Sequence, residues 1–271
     1  MPDFTTLTAS LEAGVATLRL NRPDRANSIN GPMWTELRDA LRWADETPEV
    51  RVVALFGNGK HFCSGIDLSE LMAVQQLIAD DCQARANEKL RALILKLQDC
   101  LSAQEKCRKP VLAAVHGACL GGGLDLIAAS DLRYCAAGAY FSLKEIDIGM
   151  VADVGSLQRL PKLVSPGLVR EWAFTGRRIE AAEALSCGLV NRVFETREAL
   201  EKGVLELART IAAKSPVSIR GTKEMLNFSR DHSVAEGLHY IAAWNAAMLV
   251  SQDLVAAGMA AMSKETPVFR D

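Results

Sequence analysis

The chain lacks most of the features that announce a function class. No uninterrupted apolar run reaches the roughly 20 residues that a membrane-spanning helix needs, so no membrane insertion is expected. Charge of one sign is not in excess, with 31 Lys and Arg against 33 Asp and Glu. That near-balance removes the electrostatic reason to expect a nucleic-acid partner. The four histidines (His61, His116, His232, His239) show no ligand spacing and no C-x-x-C pair occurs, so no metal site is expected. The cysteines are 7, an odd and scattered set that fits small buried thiols rather than a disulfide framework. The N-terminal Met-Pro-Asp-Phe-Thr-Thr has neither the basic and apolar regions of a signal peptide nor the Arg bias of a transit peptide. The C-terminal Val-Phe-Arg-Asp is not a peroxisomal address. Together with the unpaired thiols, these ends lead to the expectation of a cytoplasmic protein.

What is present is a hydrophobic fraction of 49% over 271 residues, enough for one large domain, alone or with an appendage. Residues 4–20 read as two strands around a turn at Glu12-Ala13-Gly14, and Pro32 suits the first turn of a helix ending before Pro48. Val52 to Phe56 and Val111 to Val115 are apolar strands, and helical periodicity runs from about Leu68 to Lys106 with a break near Asp80-Asp81. Leu132 to Cys135 and Tyr140 to Leu143 are short strands. Strands alternating with helices predict an α/β fold. From Thr196 the pattern is almost wholly helical, with starts near Ser215-Pro216 and Asp231-His232-Ser233. The expected organisation is therefore a core over 1–195 carrying the site and a helical part over 196–271.

Two loops each join a strand to a helix. His116 to Gly123 ends in a glycine triplet, where backbone can approach a ligand and φ can be positive. A helix start offers unpaired N–H groups that can hold a developing oxyanion or a phosphate. Packing helix against strand is the competing use of such glycines. The P-loop and G-x-G-x-x-G patterns are both missing. The second loop, Phe62 to Leu68, can supply a second N–H or simply cap the helix through Ser64 or Asp67.

Asp125, Glu145 and Asp153 stand among Leu, Ile, Val, Met, Ala and Gly, the composition of a buried wall. Acids are seldom buried without a partner or a task. Carboxyls crowded into an apolar site have their pKa values pushed apart, so one can serve as base while another serves as acid. Each has a plain alternative: a helix N-terminus for Asp125, a surface pair with Lys144 for Glu145, a cap near Gly155-Ser156 for Asp153. Asp147 is read as structure, and His116 as a satisfied buried imidazole.

Taken together, these motifs resemble the enoyl-CoA hydratase/isomerase (crotonase) superfamily. Leu18 to Pro23 with Asn27 and Asn30 is similar to its N-terminal signature, and Ala114 to Asp131 to its central one. The resemblance covers about residues 4–262. Gly121 to Leu126, Lys144 to Gly149, Ala152 to Lys162 and Ser229 to Glu236 are nearest to its dienoyl-CoA isomerase branch, where hydratases have Glu in place of Asp125 and no acid near Asp153.

The resemblance implies a spiral of repeated ββα units followed by a helical trimerisation region, and a trimer or dimer of trimers. It implies an oxyanion hole made by the Ile66 and Gly122 N–H groups, with an acyl-CoA thioester bound along Ser64, Gly65, Ile66, Asp67 and Leu68 beside Gly122. Glu145 would take a proton from C2, Asp153 would give one to C6, and Asp125 would orient or tune them. All three carboxyls are expected along one apolar channel. No cofactor is expected, since coenzyme A is part of the substrate. The rival readings are an enoyl-CoA hydratase and a non-catalytic acyl-CoA binder. A hydratase grips one water between two carboxyls, and Asp125 is shorter than Glu by about 1.5 Å of reach.

Overall fold

The computed structural model describes residues 2–271. Strands β1 (Leu7–Glu12) and β2 (Val15–Leu20) form a hairpin, turned at Ala13 and Gly14 with φ of 49° and 78°. Asn30 caps α1 (Gly31–Glu46) by accepting from the Met33 N–H at 3.2 Å, with Pro32 in the first turn. β3 (Val52–Gly57) returns parallel to β2. Helices α2 (Leu68–Leu77) and α3 (Gln83–Lys106) are separate, as the break at Asp80-Asp81 predicts. The Asp80 carboxylate accepts from the Cys82 N–H at 3.0 Å and so stops one helix before the next begins.

Next come β4 (Val111–Val115), β5 (Ala118–Leu120), α4 (Gly122–Ala128), β6 (Leu132–Ala136) and β7 (Tyr140–Ser142). The following stretch holds short elements that the sequence pattern does not announce: α5 (Ser156–Arg159), α6 (Pro166–Thr175), β8 (Ile179–Glu180), α7 (Ala181–Ser186) and β9 (Arg192–Phe194). Four helices close the chain, α8 (Arg197–Ala212), α9 (Pro216–Asp231), α10 (Val234–Met248) and α11 (Gln252–Ser263). Each is capped by a Ser or Thr hydroxyl: Thr196, Ser215, Ser233 and Ser251.

The large sheet runs β1-β2-β3-β4-β6-β9 and is parallel after the hairpin; a small sheet, β5-β7-β8, stands beside it. This α/β spiral with a helical C-terminal region is the fold class expected. β3 is buried along its whole length, and its residues alternate between two cores. Val53 and Leu55 join the core that includes Leu18, Leu20, Met33, Leu37 and Val115. Val52, Ala54 and Phe56 face Leu200, Val204 and Ala208 of α8. The first helix after residue 195 thus packs on the sheet. α9 is pinned more sparingly, by the buried Lys223 ammonium, which donates to the carbonyls of Gln104 (2.7 Å) and Lys109 (3.0 Å) and to Asp131 (2.7 Å).

Candidate active site

Two isolated β-bridges, Cys63 to Cys119 and Ile29 to Ile66, bring the two predicted loops together. The Cys63 N–H donates to the Ala118 carbonyl and the Leu120 N–H to the Cys63 carbonyl, both at 3.0 Å. On the other side, the Ile29 N–H donates to the Gly65 carbonyl at 2.8 Å and the Asp67 N–H to the Ile29 carbonyl at 3.0 Å. The loop Ser64 to Asp67 is therefore stitched between the glycine turn and the segment before α1. A Cβ placed on Gly122 would lie 3.6 Å from the Ile66 nitrogen, and one placed on Gly65 would lie 3.5 Å from the Gly122 nitrogen. The two amides are near neighbours, and among the described residues neither has an acceptor. A pair of free N–H groups at one spot is what a developing oxyanion requires.

The glycines have separate reasons to be there. Gly121 has φ of 47°, and a Cβ on it would sit 3.0 Å from the Glu145 Oε1. Gly65 has φ of 95°, and its Cβ would meet the Leu120 carbonyl oxygen at 2.9 Å. In both cases backbone and site groups approach as closely as the missing side chain allows.

Asp125 is fully buried in the first turn of α4. Its Oδ1 accepts from the Ser156 N–H (2.5 Å) and the Ser156 hydroxyl (2.6 Å), whereas its Oδ2 has no protein partner. Glu145, 9% exposed, opens a short 3₁₀ turn and also leaves one carboxylate oxygen, Oε2, without a partner. A buried carboxylate oxygen with nothing to accept from is costly, and such orphans point to a task. Burial pushes Asp125 up to about 6, against the Ser156 bonds and with the Asp153 charge. Burial pushes Glu145 up to about 7, helped by the neighbouring charges of Asp125 and Asp153. Burial likewise raises Asp153.

The surface alternative for Glu145 is not realised, because Lys144 pairs instead with Asp147 at 2.6 Å. Asp153 does not cap α5, whose N-cap is Gly155 without a side-chain bond.

Three cavities surround these acids. The first, about 430 Å³, is lined by Ser64, Gly65, Ile66, Asp67, Leu68, Gly121 and Gly122, by Glu145, and at its rim by Arg25 and Lys144. A small apolar chamber of about 130 Å³ touches Glu145 from the other side, between Leu143, Ala152, Leu157 and Phe174. Asp153 lines neither. It is half-buried on the wall of a larger and more polar cavity of about 690 Å³, shared with Gln98, Ser102, Glu105, Arg159 and Arg230. The expectation of three carboxyls along one apolar channel is thus not what the single chain presents. Asp153 instead lines a separate cavity among charged and polar side chains. The physical reason is local: Gly155 and Arg159 turn the chain so that polar groups of α3 and α9 close around that side.

Within the loop, the Asp67 side chain is fully committed. It caps α2 through the Ser69 N–H (3.2 Å), accepts from the Ser69 hydroxyl (2.7 Å) and pairs with Arg22 (3.0 Å). The Ser69, Arg22 and Ser28 bonds hold its pKa down to about 2. His116 contacts the Gly59 carbonyl at 3.0 Å through Nε2, and burial lowers its pKa. No group of three or more His, Cys, Asp or Glu is arranged for a metal among the described residues. Sequence reasoning missed Ser156, which holds Asp125, and Gln98, whose amide donates to the Asp153 carbonyl at 2.7 Å. In the sequence Ser156 stands out only as a neighbour of Asp153, and nothing about Gln98 distinguishes it from a surface residue of a helix.

Paired free amides beside buried carboxyls of raised pKa form an arrangement able to hold negative charge on a carbonyl oxygen and to exchange protons next to it. The chain belongs to the enoyl-CoA hydratase/isomerase family, whose model matches residues 10–271. It is 46% identical over 259 residues to the peroxisomal Delta(3,5)-Delta(2,4)-dienoyl-CoA isomerase of Arabidopsis thaliana, covering 95% of this chain and 93% of the relative. It is 46% identical to the mitochondrial protein of the same name from Homo sapiens, covering 91% and 75%. Among solved structures, the enoyl-CoA hydratase of Bacillus anthracis superposes with a TM-score of 0.89 at 30% identity, covering 98% of this chain and 99% of that one. A putative enoyl-CoA hydratase from Streptomyces coelicolor A3(2) reaches 0.90 at 27%, covering 100% and 96%.

These relatives overturn one expectation. They carry peroxisomal and mitochondrial in their names, so a cytoplasmic address does not stand. Free thiols fit any reducing surrounding, which is not an address.

Proposed function

We propose that the chain isomerises 3,5-dienoyl-CoA to 2,4-dienoyl-CoA in β-oxidation of unsaturated fatty acids. The observation that carries this reading is the third carboxyl: besides the buried Asp125 and Glu145, the half-buried Asp153 stands three residues before Ser156, whose N–H and hydroxyl hold Asp125. Hydration uses two carboxyls on one water. Moving a proton from C2 to C6 spans four bonds, and two separated carboxyls divide that work better than one. The names of the relatives at 46% identity support the same assignment.

In the proposed course the thioester oxygen sits on the Ile66 and Gly122 N–H groups. Ionised Glu145 removes the C2 proton, and the negative charge delocalises from the oxygen through the diene. Protonated Asp153 delivers a proton at C6, which the acyl tail has to bring from the first cavity to the one that Asp153 lines. Asp125, fixed by Ser156, keeps Glu145 basic through like-charge repulsion. One proton leaves and one arrives, so the substrate changes only in its double bonds. Afterwards Glu145 carries a proton and Asp153 lacks one; Glu145 returns its proton to solvent through the first cavity once product leaves, and Asp153 recovers one through the polar cavity. The chemistry as written calls for no cofactor beyond the CoA that the substrate brings.

The assay offers 3,5-dienoyl-CoA and follows formation of the conjugated 2,4-product, then offers 2-enoyl-CoA and follows loss of its double bond. Isomerisation without comparable hydration is expected; fast hydration with no isomerisation would defeat the reading. Self-association as a trimer or dimer of trimers belongs to the same proposal. It is supported by the apolar side chains that α10 and α11 expose, Leu238, Met248, Leu254, Val255, Met259 and Met262. Sedimentation of the purified protein checks it, and a monomer would reject it.

A further inference from the structure

We propose that Arg159 is a positioning residue for Asp153, holding the turn that carries it through an ion chain anchored on α3 and α9. This inference rests on Asp153 being the acid of the proposed isomerisation.

The turn after Asp153 is shaped around the guanidinium. Gly155 has φ of 135°, and a Cβ on it would lie 1.7 Å from the Arg159 Nη1. Only a glycine lets the guanidinium lie across the backbone there. Nη1 donates to the Val154 carbonyl at 3.3 Å, and the Gln98 amide of α3 donates to the preceding carbonyl, that of Asp153, at 2.7 Å. Two consecutive carbonyls are thus gripped, one by Arg159 and one by Gln98.

The rest of the guanidinium is spent on α3. Nε and Nη2 donate to one oxygen of Glu105 at 3.1 and 2.5 Å, and Nη2 also donates to the Ser102 hydroxyl at 3.0 Å. The other Glu105 oxygen accepts from Arg230, which with Lys162 also holds Asp231 (2.9 and 2.7 Å). The chain therefore runs Arg159, Glu105, Arg230, Asp231, Lys162 and returns to the segment it began in. Arg159 and Glu105 are only 13% and 18% exposed. Ion pairs that are nearly buried gain little net stability, because desolvation offsets the attraction. Their geometric effect is stronger: planar, multiply bonded guanidinium fixes what it touches. With its donors already placed on Glu105, Ser102 and Val154, Arg159 is poorly suited to bind substrate directly.

The test separates the two proton transfers. Isomerisation of 3,5-dienoyl-CoA needs both Glu145 and Asp153. Deuterium uptake from D₂O at C2 of a 3-enoyl-CoA needs the base and the oxyanion hole and has no conjugated C6 to protonate. For Arg159→Gln, kcat for isomerisation is expected to fall about 10- to 100-fold, the scale of an ångström of misplacement, with KM and C2 uptake within about threefold of the unmodified protein. Arg159→Lys keeps the charge without the fork and is expected to fall between the two. Gln98→Leu leaves the ion chain whole and removes one bond to the Asp153 carbonyl, so it serves if Arg159→Gln does not fold; the same split at smaller size is expected. Isomerisation and C2 uptake falling together, or neither changing, overturns the proposal. A different failure marks the underlying reading: if the unmodified protein takes up deuterium at C2 yet forms no 2,4-product, Asp153 is not an acid for C6 and Arg159 has nothing to position.

Discussion

Asp125 and Glu145 stand on one side of the site and Asp153 on the other, and the two sides are built on opposite principles. Asp125 is enclosed and Glu145 opens onto the first cavity and the small apolar chamber, each acid with one oxygen left without a partner. Asp153 sits half-buried on a cavity of about 690 Å³ ringed by charged groups already engaged with one another. The first side tunes proton affinity by burial. The second fixes position by hydrogen bonds to the backbone. A group that must stay basic at neutral pH next to carbon benefits from the first arrangement. A group that must be reprotonated after every turnover benefits from the second.

The sharpest way to break this comparison is to remove one carboxyl from each side. Glu145→Gln is expected to lower both C2 deuterium uptake and isomerisation by about 10²–10⁴-fold, the range for loss of a general base. Asp153→Asn is expected to lower isomerisation on a similar scale while C2 uptake persists. If Asp153→Asn abolishes C2 uptake as well, the two sides do not divide the work. Next in size is Gly121→Ala. It forces an alanine into φ of 47° and puts a methyl 3.0 Å from the Glu145 carboxylate. Isomerisation is expected to fall about 10²-fold with the fold retained, because a small displacement of base or amide is enough. Unchanged turnover would show that the close approach of Gly121 and Glu145 is incidental.

The more buried side was the more legible in the sequence. Glycines at 121 to 123 interrupt an apolar run just after a β-rich segment, and an acid inside such a run has few bland explanations. The shared position of the two loops depends on bridges between Cys63 and Cys119 and between Ile29 and Ile66, which local pattern does not reveal. On the other side, Gln98 meets Asp153 across 55 positions and Arg159 meets Ser102 across 57. A polar residue that recurs on a helix reads as surface until the partner strand or turn is placed against it. The same blindness hid α5 to α7, which are short and owe their existence to packing rather than to periodicity.

Acidity distinguishes the two sides in a further, smaller way. Glu145 has an ordinary carboxyl value of 4.5 when unfolded and about 7 when folded. Between those values the folded chain holds a proton that the unfolded chain has lost, so stability declines as pH rises through the window. Below it both forms are protonated and no penalty remains. Glu145→Gln does not titrate and so carries no such pH dependence. Urea unfolding should therefore show the variant gaining on the unmodified protein by about 1–3 kcal/mol at pH 8, with the gain shrinking towards pH 4.5. A gap that stays constant with pH would mean that Glu145 is not held protonated by its surroundings. The activity profile is bell-shaped: isomerisation is expected to rise as Glu145 ionises near pH 7 and to fall where Asp153 loses the proton it must deliver.

The smallest expected effect lies at the rim of the first cavity, where two neighbouring arginines differ in how they are used. Arg22 is tied down, donating to Asp67 (3.0 Å) and to the Ser28 carbonyl (2.6 Å), and so belongs to the loop's own structure. Arg25 lines the cavity mouth with Lys144, and no side-chain bond engages it among the described residues. A CoA thioester lying on the Ile66 and Gly122 amides must carry its phosphates out past this rim. Arg25→Ala is therefore expected to raise KM about fivefold, worth about 1 kcal/mol, and to leave kcat near its original value. The increase should shrink as salt rises, since an exposed charge is screened over about 10 Å at 0.1 M. Arg22→Ala should instead lower kcat, because it loosens Asp67 and with it the turn that presents the Ile66 N–H. If the two substitutions act alike, the difference between a structural and a binding cation at this rim disappears.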